Sequence, residues 1–201
     1  MTPATDRKQE TRERVLRAAG AALRQHGPDG IGIADIMRQA GLTHGGFYAH
    51  FKSKDDLVAQ TLAHVFGRMT ARAARLEQGL APAAALAAQI DRYLSPAHRD
   101  HPANGCPLTT LANDIARQSE GARREFDAGM RALVARISGR LPGGPDDALA
   151  RALLTEMAGA VMLSRAVASP ALSDSILAGA RASVRARAGL PPLPPRSTHV
   201  G

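Results

Sequence analysis

The sequence predicts an all-α protein of about nine helices. Three observations carry this reading. Nearly every segment repeats its apolar residues at a period near 3.6, no segment alternates in the manner of a strand, and aromatics make up only 3% of the 201 residues. With no Trp, two Tyr and four Phe, the core must be built from Ala, Leu, Val, Ile and Met. Such side chains favour close-packed helices over a sheet sandwich. An apolar share of 44% is enough for a substantial core.

Each helix has a local justification. Val15, Leu16, Ala19 and Leu23 form the first stripe, in a charged run that begins near Arg7 and stops at His26-Gly27-Pro28-Asp29-Gly30. Ile33, Ile36 and Met37 mark a short second helix. Ala40-Gly41-Leu42 is a turn, and Thr43 is the expected N-cap of a third short helix reaching about His50. Ser53-Lys54-Asp55-Asp56 reads as a capping box, with Asp56 in the place of the usual Glu. A long helix follows, with Val58, Leu62, Val65, Phe66, Met69, Ala73 and Leu76 on one face.

Pro82 suits the first turn of a helix carrying Leu86, Ile90, Tyr93 and Leu94. Residues 96–102 are expected to form a loop. Leu108, Leu111, Ala112 and Ile115 make one further stripe; Phe126, Met130, Leu133, Ile137 and Leu141 make another, ended by Pro142-Gly143-Gly144-Pro145. Leu149, Leu153, Met157, Ala160, Val161 and Ser164 define a long helix. Its centre, apolar on nearly all sides, is expected to be buried on more than one face. Ser173 is the expected cap of a last helix with Ile176, Leu177, Ala180 and Val184. The Pro-rich end is read as a disordered tail. The domains are then a head at 1–52, a body at 53–188 and a tail at 189–201.

Twenty-six Lys and Arg against eighteen Asp and Glu give a net charge of +8, which suits a polyanionic partner. A single cysteine excludes an internal disulfide framework and a Cys-cluster zinc site. No apolar run is long enough to cross a bilayer, and Met1 to Asp6 lead into no signal-peptide segment. A cytoplasmic protein without a membrane partner is expected.

Residues 33–51 place two short helices around a Gly-containing turn, the helix-turn-helix pattern. Gly41 supplies the positive φ needed to leave the first helix. Leu42 fits the angle between the helices, and Ile36 and Phe47 can pack behind them. Thr43, His44, Gly45, Tyr48 and His50 are left for the outer side, where a helix N-terminus suits DNA phosphates. Residues 1–54 carry nine Lys or Arg against five Asp or Glu, half of the chain's basic excess in about a quarter of its length.

The string from Gly41 to Leu57, with its Phe47-Tyr48-x-x-Phe51-x-x-Lys54-x-x-Leu57 core, resembles the DNA-binding signature of the TetR-like transcriptional repressors. The likeness extends back through Ile33 and Gly27 to the apolar spacing of the first helix. It implies a homodimer that joins through its last two long helices, with a three-helix DNA head and a body that binds a small effector. It also implies that Thr43, His44 and Tyr48 meet phosphates and base edges of a near-palindromic double-stranded operator, with Lys54 on the backbone. Gly45 matches a glycine common in the family. Arg38 belongs to the candidate set or is surface charge; His50 belongs to it or is packed. Arg7, Lys8 and Arg12 either reach DNA or form a solvated face. Gly32 is a weaker cap than the Ser or Thr often found there, and Gly46 stands where a hydroxyl residue is usual.

In the body, Phe66, Met69, Tyr93, Cys106, Leu111, Met130 and Met157 are candidates for an effector pocket or are ordinary core. Cys106 begins a helix, where a thiolate is favoured, and is either a sensor of oxidants and electrophiles or an inert buried thiol. His98, His101 and Cys106 match no familiar zinc spacing, so no metal or cofactor is expected. Glu156 is expected to pair with an arginine or face a polar cavity. No Ser-His-Asp ordering, phosphate-cradling loop or metal helix points to an enzyme. The expected function is a transcriptional repressor released by a small effector or by thiol modification. The alternatives are a non-specific architectural DNA protein and, further off, an enzyme.

Overall fold

The computed structural model describes residues 3–192, with side-chain surroundings given from Arg7 onward. Among the described residues nine α-helices and two 3-10 helices occur, and no strand. The α-helices are α1 Pro3–His26, α2 Ile33–Gln39, α3 Lys54–Leu76, α4 Pro82–Tyr93, α5 Pro96–Asp100, α6 Pro107–Ile115, α7 Glu120–Ser138, α8 Asp147–Ala166 and α9 Pro170–Arg187. The 3-10 helices are His44–Ala49 and Pro102–Asn104. No described helix is long and apolar enough to cross a membrane.

The chain forms two compact units. One comprises the chain up to Leu76 together with Asp100–Leu133; the other comprises Glu77–Arg99 and the chain from Val134 onward. The boundary expected at residues 52–53 is therefore not where the chain divides by compactness. The reason lies in the first core: Leu16, Leu23, Met37, Phe47 and Leu62 share one buried cluster with Leu111, Ile115 and Ala122. Helices α6 and α7 thus help to close the head.

Within this first unit the start of α3 is fastened by local chemistry. Ser53 Oγ accepts the Asp56 N–H at 3.1 Å, and Asp56 Oδ2 accepts the Lys52 N–H at 2.8 Å. The expected capping box is present, with Asp56 reaching one residue further back than the cap itself. Gln60 Nε2 donates to Asp56 Oδ1 at 2.7 Å, and the Arg12 guanidinium donates to Gln60 Oε1. A hydrogen-bonded chain therefore ties α1 to the entry of α3. Burial alone would raise the Asp56 carboxyl, but the bonds from the Lys52 N–H and Gln60 and the charges of Lys52 and Arg12 hold it below the ordinary carboxylate range.

Further along α3, Phe66 packs edge-to-face on Phe126 with ring centroids 5.8 Å apart. Its ring also lies against the backbone of α7 at Gly129, where an added Cβ would fall 2.3 Å from a ring carbon.

In the second unit α8 and α9 pack together, and α4 packs on α9. Asp146 caps α8 by accepting the Leu149 N–H at 2.9 Å. Two sequence expectations are corrected here. Helix α9 starts at Pro170 with Ser169 as its cap, accepting the Leu172 N–H at 3.3 Å. Ser173 lies inside that helix, buried, and donates to the Ser164 carbonyl at 2.6 Å. The Ser169-Pro170 pair, cap followed by a residue suited to the first turn, decides the start. Residues 96–102, expected as a loop, instead contain α5, because Ser95 Oγ accepts the His98 N–H at 3.2 Å and starts a turn.

Helix α8 also departs from expectation. Its buried residues Leu153, Leu154, Met157, Ala160, Val161 and Ser164 form a single stripe. Met162 and Leu163 are exposed. Glu156 pairs with Arg187 of α9 at 2.6 Å. The beginning of the expected tail is attached: Leu190 is buried and the Pro191 carbonyl accepts from Arg185 Nη2 at 2.7 Å. The remainder of that tail, from residue 193 on, lies outside the described residues.

Substituting Gly129→Ala should lower unfolding free energy by about 1–3 kcal/mol, because the Phe66 ring must leave its place on α7. Urea denaturation checks this; Gly121→Ala, whose Cβ would make only ordinary contacts of 3.9 Å, is the tolerated comparison.

Candidate nucleic-acid interface

The turn between α2 and the following 3-10 helix is set by backbone geometry. The Leu42 N–H bonds the Met37 carbonyl at 2.9 Å, and the Gly41 N–H bonds the Arg38 carbonyl at 3.0 Å. Gly41 has φ +72°, so this is a Schellman ending that a glycine accommodates without strain. The chain then enters His44–Ala49, which is a 3-10 helix rather than the expected α-helix. Two adjacent glycines within so short a segment, each costing about 1 kcal/mol relative to Ala in a helix, leave little drive toward a regular α-helix. Thr43 occupies the N-cap position, but its hydroxyl makes no capping bond; the Gly46 N–H goes to the Thr43 carbonyl at 3.1 Å.

The inner side of this segment is apolar and closed. Phe47 and Phe51 are buried and stack with centroids 5.5 Å apart and planes at 28°. Ile36 and Met37 of α2 are buried in the same cluster, and Leu42 packs against it in the angle between the two elements. The outer side is open. Thr43, His44 and Gly45 are exposed, and Tyr48 is 69% exposed. Tyr48 meets Phe47 edge-on at 5.2 Å, so its ring is braced at the base with the phenol toward solvent. No neighbour within 4 Å confronts a Cβ at Gly45, and at Gly46 only Met37 and the Thr43 hydroxyl stand at ordinary contact distance.

The other sequence candidates occupy varied places. Arg38 is exposed and pairs with Asp35 at 2.6 Å on its own helix. Lys54 is half-buried at the first position of α3. His50 is set back from the outer row. It is half-buried, its ring is 6.3 Å from that of Phe51, and its Nδ1 is buried without a hydrogen-bond partner. Burial first, then the charges of Lys8 and Arg12, lower its imidazole below the ordinary value and keep it neutral near pH 7. These two cations of α1 are thus close enough to act on His50 through their charge.

The pocket candidates divide between the units. Phe66, Met69, Cys106, Leu111 and Met130 belong to the first; Tyr93 and Met157 belong to the second. Phe66 and Leu111 are accounted for as packed core. Cys106 is buried at the N-cap of α6, and its carbonyl accepts the Thr109 hydroxyl at 2.9 Å. Arg24 lies within electrostatic reach of Cys106 and donates to the Ala103 carbonyl at 2.6 Å. Tyr93 packs edge-on against His98 at 4.6 Å, and the Tyr93 carbonyl lies 2.7 Å from His98 Nδ1. Among the described residues no group of three or more His, Cys, Asp or Glu is arranged to hold a metal ion.

The chain matches known proteins in both sequence and fold. The family described as bacterial regulatory proteins, tetR family, matches residues 15–61. The HTH-type transcriptional repressor Rv3405c of Mycobacterium tuberculosis is 30% identical over 145 residues, covering 66% of this chain and 73% of that protein. The HTH-type transcriptional repressor NemR of Escherichia coli K12 is 24% identical over 140 residues, covering 69% of this chain and 70% of its own. The crystal structure of E. coli NemR in its reduced form superposes with a TM-score of 0.76 at 23% identity, over 88% of this chain and 96% of that one. A TetR transcriptional regulator from Chloroflexus aurantiacus superposes with a TM-score of 0.74 at 26% identity, over 90% and 95% of the two chains. The matched pattern begins at Val15, takes in the Schellman turn and the Phe47–Phe51 stack, and ends at Thr61 in α3, and the likeness to Rv3405c extends well beyond it. This chain therefore belongs to the TetR family of DNA-binding bacterial transcriptional regulators.

Proposed function

We propose that this protein is a repressor that holds a near-palindromic operator as a homodimer and releases it when an effector or a thiol modification changes the body. The observation that carries the reading is the two-sided turn at residues 43–51. Its inner residues Phe47 and Phe51 are sealed in the core, and its outer residues Thr43, His44 and Tyr48 are left to solvent. A rigid base with exposed polar side chains is what a groove reader needs, since docking geometry selects which groups reach base edges. Lys54, at the start of α3, is the phosphate contact of this reading, and Arg38 and Gly45 flank it. His50, half-buried at the end of the turn, completes the candidate set. The turn's short 3-10 form and its two unobstructed glycines let backbone approach the duplex closely.

Two recognition turns about 34–36 Å apart would match one turn of DNA. Doubling requires an interface, and the apolar residues left exposed on the paired helices of the second unit support one there: Met162 and Leu163 of α8, and Leu172 of α9. Release is a shift between two states of the dimer, one with heads at operator spacing and one without. The effector acts only so far as it binds the second state more tightly. Thiol modification is the second route. It is favoured by the place of Cys106 at a helix start near Arg24, and by a related repressor described in a reduced form. Its burial requires α6 to open before a reagent can react.

Four outcomes are expected. Tyr48→Ala should leave thermal stability almost unchanged yet weaken operator binding by about 1–3 kcal/mol, and Lys54→Gln should flatten the salt dependence by about one unit of log–log slope per protomer. Fluorescence anisotropy across a salt series measures both, and equal binding by all three proteins would refute the interface. Leu163→Glu should convert dimer to monomer in light scattering and abolish tight operator binding with it. Cys106→Ser should keep operator affinity but make it indifferent to peroxide or an alkylating electrophile; a serine variant released as readily as the parent ends the thiol route.

A further inference from the structure

The second unit contains a polar cluster that the DNA-binding reading does not use. Glu77, the residue following α3, is buried, with its side chain only 1% exposed. Three arginines converge on it. Arg92 of α4 donates to Oε1 at 2.6 Å, Arg140 donates to Oε2 at 2.5 Å, and Arg136 of α7 also pairs with Oε2. Gln89 of α4, itself buried, turns its amide oxygen toward the same group and accepts from Arg140 at 3.2 Å and from Arg136 at 3.4 Å. The Arg136 and Arg140 side chains are mostly shielded, and that of Arg92 is 40% exposed.

The charges do not balance. One carboxylate faces three guanidinium groups, leaving a surplus of two positive charges in a largely desolvated place. Like charges brought together away from water are costly unless an anion joins them. Each guanidinium has five N–H donors, and Glu77 and Gln89 together offer few acceptor sites. Burial and then the charge of Arg140 both work to lower Arg136, while bonds from Arg92 and Arg140 hold Glu77 below the ordinary carboxylate range against the effect of its burial. The surplus of two matches a dianionic group, and guanidinium forks match its oxygens in geometry. The exposed flank of Arg92 gives the cluster its opening to solvent.

We propose that Arg92, Arg136 and Arg140 with Gln89 form a binding site for a dianionic phosphate group, carried by a small molecule that enters beside Arg92 and shares the arginines with Glu77. The assignment stands apart from operator binding, because it is measured on the protein without DNA. Inorganic phosphate is the probe, titrated calorimetrically into the full-length protein against chloride at matched ionic strength. The parent should bind phosphate saturably and melt higher in its presence. Arg92→Gln, at the most exposed of the three positions, should weaken phosphate binding at least tenfold while the protein stays folded by circular dichroism. Glu77→Gln should strengthen it several-fold, since the internal competitor loses its charge. Arg117→Gln, which breaks exposed bonds to Asp114 at 2.9 Å and to the Asn113 carbonyl at 3.0 Å, should change nothing. Phosphate acting no more strongly than chloride, or binding Arg92→Gln and the parent alike, would overturn the assignment.

Discussion

The stacked pair of Phe47 and Phe51 is the contact on which the reading surface depends. A six-residue 3-10 helix containing two glycines has almost no stability of its own. It holds its shape because Phe47 within it and Phe51 just after it are driven into a core shared by α1, α2, α3 and α6. Burial of a phenylalanine stabilises by about 1.5–3 kcal/mol, so the two together outweigh the roughly 1 kcal/mol that each neighbouring glycine costs. Tyr48 needs no burial because Phe47, adjacent in sequence, supplies it. The exposed row is thus a consequence of the buried one.

The same core reaches well beyond residue 52. A segment of about fifty residues buries a smaller fraction of its surface than a larger domain does. Leu111, Ile115 and Ala122 complete it from outside the first fifty residues. The hydrogen-bonded chain from Arg12 through Gln60 to Asp56 adds a polar tie between α1 and α3.

Much of this was legible in the residues. Pro82 starts α4 as expected, Ser53 and Asp56 form their capping box, Gly41 ends α2 with positive φ, and Glu156 finds an arginine. These are local rules, in which a residue's chemistry acts within a few positions of itself. Misreadings arose where two local rules competed. Ser169 and Ser173 are both credible caps, and only the proline after the first decides between them. Ser95 starts a turn in a segment whose Pro and His content reads as loop. The Glu77 cluster left no trace at all, because its four partners at 89, 92, 136 and 140 come together only through packing of α4 and the end of α7. For His50 the residues left two readings open, outward or packed, and its half-burial is settled by tertiary packing rather than by its neighbours in sequence.

The division of labour within residues 43–51 bears on how such a protein diversifies. Thr43, His44 and Tyr48 lend nothing to the hydrophobic interior, and Gly41 fixes the bend through its main chain. Drift at the three outward positions therefore escapes purging by loss of foldedness. A duplicated copy is free to wander toward a fresh target site while its scaffold remains inherited intact.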